Sequence, residues 1–170
     1  MSALAILEYP DRRLRIRAAP VTAFDGRLWR LIDDLFDTLY ATRGIGLAAT
    51  QVNVHQRVLV IDVSERRNEP RCFINPEILA HGVVGMVEES CLSLPGVVGN
   101  VKRATQLRVR SRDRSGASCD LDLEGLPAVC LQHEMDHLDG RLFVDHLSLY
   151  RRLRLRWQPP LRGAAARAAS

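Results

Sequence analysis

The chain has 170 residues, 46% of them hydrophobic, with 24 Lys and Arg against 20 Asp and Glu and a formal net charge of +4. That length suits one domain able to bury about two-thirds of its unfolded surface. The composition is ordinary for a globular protein and includes no apolar run of membrane-spanning length. Ala3 to Leu7 is too short for a signal-peptide core, so a cytoplasmic address is expected, in which Cys72, Cys91, Cys119 and Cys130 stay reduced.

From Phe24 to Thr42 the apolar positions Leu28, Leu31, Ile32, Leu35, Phe36 and Leu39 predict an amphipathic helix closed at Gly44. The run Gly44-Ile45-Gly46-Leu47-Ala48-Ala49-Thr50-Gln51 reads as a small-residue turn whose glycines permit close backbone approach and whose last residue is an amide donor. No Lys-Ser/Thr follows the glycines, which excludes a phosphate loop. Val58 to Val63 reads as a buried strand, Ser64 to Pro70 as a polar loop, and Cys72 to Leu79 and Val83 to Glu89 as further strands. Gln106 to Arg112 and Cys119 to Glu124 alternate around the turn Asp113-Arg114-Ser115-Gly116. A second helix takes its broad apolar face from Leu126, Val129, Cys130, Leu131, Met135 and Leu138, with Pro127 in its first turn and Asp139-Gly140 as its stop. Ser148 to Gln158 sets Leu149, Leu153 and Trp157 at four-residue intervals with arginines on the other faces, a short terminal helix that Pro159-Pro160 should end, leaving Leu161 to Ser170 disordered. This order predicts an α+β fold of small antiparallel sheets packed around the second helix.

That second helix carries the chemistry. His133 and His137, one helical turn apart, project from the same face and can grip one metal ion. Glu134 points about a hundred degrees away around the helix, outside the ligand set but near any water the ion holds, which is a hydrolase's arrangement. A zincin needs a third ligand downstream, and the only histidine there is His146, without the metzincin glycine spacing. The upstream candidate is Cys91, in Glu88-Glu89-Ser90-Cys91-Leu92-Ser93-Leu94-Pro95; a Cys/His/His set leaves the fourth tetrahedral position open. Taken by itself, such a cysteine is more often a small buried hydrophobe.

Together, GIGLAATQ at 44–51, EESCLS at 88–93 and QHEMDH at 132–137 resemble, in order, the three signature motifs of the bacterial peptide deformylases. The resemblance runs from Tyr9-Pro10-Asp11 to about Tyr150, nearly the whole chain. It implies metal-dependent hydrolysis of the N-formyl group from the formyl-methionine of nascent polypeptides, with release of formate. Residue by residue, it implies Cys91, His133 and His137 as ligands, Glu134 as general acid and base, and the Gln51 side-chain amide and Leu92 backbone N–H as oxyanion donors. It also implies a methionine pocket lined or bordered by Ile45, Gly46, Val87, Glu89, Leu126, Val129 and Cys130. The implied working ion is Fe²⁺. Spacing does not select it, since the same ligands accept Zn²⁺, Ni²⁺ or Co²⁺ and should hold Zn²⁺ more tightly than Fe²⁺.

The chain departs from the family pattern in three places. Ser90 stands where glycine commonly precedes the ligand cysteine, and Val98 stands where relatives place a polar or arginine side chain to hold the peptide backbone. The third departure is the basic tail: His146 to Ser170 carries six arginines and no acid, leaving residues 1–145 at about −2. The expected division is a catalytic region, 1–147, and a basic helix and tail, 148–170. The resemblance implies ribosome docking through Arg151, Arg152, Arg154 and Arg156; the alternative is a terminal helix docked on the domain by its stripe of Leu149, Leu153 and Trp157, with solvated arginines. Neither a membrane nor DNA is an expected partner. Two rival activities stand beside deformylation: a metalloendopeptidase, and a catalytically silent homologue that binds metal or the ribosome.

Overall fold

In the computed structural model, which describes residues 3–157, Asp25 opens the first helix. Its carboxylate accepts from the backbone N–H of Arg27 and Leu28, capping α1 (Gly26–Ala41), whose buried stripe is Leu28, Ile32, Leu35 and Leu39. The helix ends differently from the sequence expectation. Arg43, not Gly44, takes the left-handed conformation, at φ 55°, while Gly44 N–H donates to the Leu39 carbonyl. Gly44 is needed for clearance, because a Cβ there would lie 2.7 Å from Leu92 Cδ1 and 3.0 Å from Leu39 Cδ1.

Seven strands follow: β1 (Gly46–Ala48), β2 (Val58–Ile61), β3 (Arg71–His81), β4 (Val84–Cys91), β5 (Leu94–Ala104), β6 (Gln106–Arg112) and β7 (Ser118–Glu124). All their ladders are antiparallel. One sheet has the order β1-β2-β3-β6-β7, and β4 and β5 form a separate ribbon. The second helix, α2 (Leu126–Leu138), has Gly125 as N-cap and Pro127 in its first turn. Gly140 follows at φ +70°, where a Cβ would meet the Arg15 carbonyl oxygen at 2.5 Å.

β2 is buried at every position because it separates two cores. Val58 and Val60 pack with Ile32, Leu35 and Leu39 of α1, while Leu59 and Ile61 pack with Leu131 and Leu138 of α2. A third core joins Leu94 and Val101 of the ribbon to Phe143, Val144 and Leu147. Each fully buried leucine- or phenylalanine-sized side chain stabilises by roughly 1.5–3 kcal/mol relative to exposure. These layers lock the ribbon and α2 into one body.

α3 (Leu149–Trp157) is the short terminal helix, and its docking contacts are not the predicted ones. Leu149 and Leu153 are exposed, whereas Leu155 packs with the third core and Arg151 donates to the Val98 carbonyl at 3.2 Å. Gly99 makes that approach possible, since a Cβ there would lie 2.6 Å from Leu147 Cδ2 and 3.2 Å from an Arg151 guanidinium nitrogen. The expected stop at Pro159-Pro160 and the expected disordered tail lie outside the described residues. Among the described residues, no helix is long and apolar enough to cross a membrane.

Candidate metal centre and active site

α2 presents His133 and His137 inward, 9% and 1% exposed, and β4 ends on Cys91, 8% exposed. The possible ligand atoms of these three residues all lie within 4.8 Å of one another. Cys91 Sγ is 3.2 Å from His137 Nε2, and the two imidazoles meet edge to face with centroids 5.2 Å apart. His133 Nδ1 is 2.9 Å from Glu89 Oε2, a contact that orients the ring and leaves Nε2 for a ligand. The three side chains span two structural layers, so the cluster requires the ribbon to be docked on α2.

Glu134 is 4% exposed and its Oε2 has no hydrogen-bond partner. Burial pushes its carboxyl up to about 7. Burial also drives His137 well below the usual histidine range, with His133 adding to the effect, so its imidazole is neutral and its lone pair available. Burial works against a charged His133, but Cys91, Glu89 and Glu134 outweigh it and raise this group well above the ordinary value. A soft thiolate donor, two imidazoles and an excess of acidic neighbours fit a cation with one open coordination position. The cluster has the donors and the spacing that could hold a single metal ion.

The same residues border a cleft of about 460 Å³. It is lined at the reactive end by Gln51, Cys91, Leu92, His133 and Glu134. Ile45, Gly46, Val87, Leu126, Val129 and Cys130 line it as well, and so does Glu89. All the residues expected in the site except His137 therefore line one cleft; His137 lies behind it, against Tyr9 and Leu142 to Val144. Glu89 is only marginally a pocket residue, because its carboxylate is turned to His133 and Arg103. Gly46 has to be glycine here, as a Cβ would lie 2.5 Å from Glu134 Oε1 and 2.6 Å from Cys130 Sγ. Gln51 is fixed by Ala48 N–H donating to its Oε1 at 2.9 Å; its Nε2 donates to Ser93 Oγ at 3.1 Å and lies 4.0 Å from Cys91 Sγ.

Arg103 and Asp136 belong to the site and were not anticipated. Arg103, 6% exposed, donates to Glu89 Oε1 at 2.7 Å and Oε2 at 3.2 Å, and to Asp136 Oδ2 at 2.7 Å. Burial alone would raise Glu89, but the hydrogen bonds from His133 and Arg103 outweigh it and hold the carboxyl down at about 2. Asp136 also receives His146 Nε2 at 2.8 Å. One guanidinium thus ties the strand that ends in Cys91 to the helix that carries both histidines. The signal was an arginine in the inward register of β5, shared with Val97, Gly99 and Val101, and Gly96 and Asn100 concealed that strand.

An α+β body that buries a Cys/His/His cluster beside a carboxylate with one oxygen unpartnered is that of a metal-dependent hydrolase. The polypeptide deformylase family model matches residues 3–152. Among relatives, the peptide deformylases of Hahella chejuensis and Azotobacter vinelandii are 54% and 55% identical over 157 residues, each alignment covering 92% of this chain and 94% of the relative. A crystal structure of a peptide deformylase from Legionella pneumophila superposes with a TM-score of 0.87 at 46% identity, covering 92% of both chains. That of Ehrlichia chaffeensis in complex with actinonin gives 0.87 at 36% identity, covering 95% of this chain and 100% of the other. The chain belongs to the polypeptide deformylase family.

Proposed function

We propose the following division of labour for this deformylase, a hydrolase that removes the N-formyl group from the N-terminal formyl-methionine of nascent polypeptides. Cys91, His133 and His137 hold the ion, Fe²⁺ in the cell, although Zn²⁺, Ni²⁺ or Co²⁺ suit the same donors. When bound, such an ion supplies a Lewis acid and lowers the pKa of a water. Glu134 takes a proton from the attacking water and returns it to the departing amine, a task suited to a carboxyl held near 7. The Gln51 amide and the Leu92 backbone N–H donate to the oxygen of the formyl group as it gains charge. Ile45, Gly46, Val87, Leu126, Val129 and Cys130 receive the methionine side chain, bordered by Glu89. β1 and β4 are both edge strands with residues on the cleft, so an extended peptide can enter between them with backbone partners on both sides.

The observation that carries this reading is the unpartnered Glu134 Oε2 beside a buried Cys/His/His cluster. Formate release from a formyl-Met tripeptide by anaerobically purified protein, with metal analysis, is the test. Release at one metal per chain supports the reading. Digestion of unformylated casein would instead make the chain an endopeptidase, and neither activity would make it a silent homologue.

The cell biology of this reading is a cytoplasmic enzyme that meets nascent chains at the ribosome. What supports docking is α3, on which Arg151, Arg152 and Arg154 are exposed. Arg152 lies 4.0 Å from Asp145 and Arg151 is engaged with Val98, which leaves Arg154 as the freest of the three. Salt-sensitive ribosome binding that Arg152→Glu/Arg154→Glu abolishes is the expected result, and unchanged affinity would refute docking through this helix.

A further inference from the structure

The methionine pocket and the reactive end leave part of the cleft lining unassigned, including Arg43, Glu88, Pro95 and Gly96. Arg43 is exposed, lies on this lining, and has no carboxylate within ion-pair distance among the described residues. The wall beside it is set by the fold. Arg43 occupies the left-handed turn between α1 and β1, and Arg67 clamps that turn by donating to the carbonyl oxygens of Arg43, at 3.0 Å, and of Gly44. The Arg67 guanidinium is spent on the backbone of this turn and so holds Arg43 at its place on the cleft lining. Gly44 packs directly on Leu92, which places the turn beside the residue that follows Cys91.

Resting on the deformylase reading above, we propose that Arg43 is a specificity residue that reads an acidic side chain at the second or third position of the formylated peptide. An extended peptide advances about 3.3 Å per residue. With methionine seated against α2, the next two side chains fall at the mouth of the cleft, where Arg43 makes the lining positive. Glu88 of β4, also exposed and without an ion-pair partner among the described residues, adds a negative charge to the same lining. The two charges give the mouth a polarity that disfavours a lysine near Arg43 and favours an aspartate or glutamate there.

The experiment compares kcat/KM for formyl-Met peptides with Asp, Asn or Lys at the second and, separately, the third position, using full-length nickel-loaded protein. Binding of the corresponding unformylated peptides to metal-free protein is a second readout. Exposed charge pairs contribute little, so the expected preference for Asp over Asn is about two- to fivefold at low salt and falls at high salt. Asn and Asp tolerate the left-handed backbone at position 43, so Arg43→Asn tests loss of charge and Arg43→Asp tests reversal without added strain. Arg43→Asn should erase the Asp/Asn ratio and Arg43→Asp should invert the Asp/Lys ratio. Equal ratios in wild type and both variants, with formate still released, would overturn this proposal alone. No formate from any peptide would overturn the underlying reading and the proposal with it.

Discussion

Arg103→Met removes the guanidinium that bridges the buried Glu89 and the half-buried Asp136 and tests whether that clamp builds the metal site. Glu89 and Asp136 side chains are only 5% and 15% exposed, so neither is well solvated once the guanidinium is gone. Breaking a buried pair by deleting one partner costs about 3–5 kcal/mol, chiefly because the remaining charge is stranded. For a domain of this size, each kcal/mol shifts the melting temperature by about 2–4 °C, so a fall of about 6–20 °C is expected. The same change frees Glu89 from the position in which it meets His133 Nδ1, and loss of such outer support typically weakens a metal site by about 10–100-fold. Arg103→Lys keeps a charge but lacks the fork that reaches both carboxylates, and should fall between the two. Thermal unfolding followed by circular dichroism on metal-free protein gives the first quantity, and competition titration with a chelator gives the second. Arg108→Met is the surface control, since Arg108 is exposed and 3.9 Å from its nearest carboxylate. An Arg103→Met protein that melts and binds metal like that control would refute the clamp.

Three further outcomes are expected. Gly46→Ala should lower kcat sharply while leaving the fold largely intact, because the added methyl collides with Glu134 Oε1 and Cys130 Sγ; wild-type kinetics would mean that the wall yields freely. Cys91→Ser should lose metal affinity, whereas Cys72→Ser and Cys119→Ser should not, and aerobic handling of the iron form should inactivate the enzyme while nickel or cobalt forms persist; equal metal loss in all three variants would remove Cys91 from the site. Tyr40 donates to Asp62 at 2.9 Å, and burial together with that bond raises the phenol from 10.0 to about 12. Its folded value exceeds its unfolded one, so its contribution is complete below pH 10 and is lost as the pH rises towards about 12. Tyr40→Phe should therefore cost about 1.5–3 kcal/mol at neutral pH, by urea unfolding, with the deficit shrinking across that alkaline window; a constant deficit would contradict the assignment.

Much of this molecule is legible from local pattern. The stripe of α1, the alternation of β6 and the histidine pair on α2 are periodic over a whole element, and the structure repeats them closely, whereas on β7 only Leu123 is buried and Leu121 is exposed. What stayed hidden depends on partners distant in the chain. β1 is only three residues long, too short for a period, and is a strand because β2 pairs with it. β5 contains Pro95, Gly96, Gly99 and Asn100, which signal a loop, yet an eleven-residue strand forms because β4 pairs with it from Val98 to Ala104 and, after a register shift, again at Leu94. Arg103 acts through carboxylate partners that lie 14 and 33 positions away, beyond the reach of any local pattern. The ligand set itself was read from spacing and family resemblance, and the long-range packing that brings Cys91 to the helix had no local signature.

The most direct measurement is metal content and formate release in Glu134→Gln. The substitution preserves size and removes the base, so with Cys91, His133 and His137 untouched the variant should retain one metal per chain and its fold. Turnover of a formyl-Met tripeptide should drop by at least about a hundredfold. Near-normal turnover in the metal-loaded variant would contradict the role given to Glu134, and with it the account of how this site works.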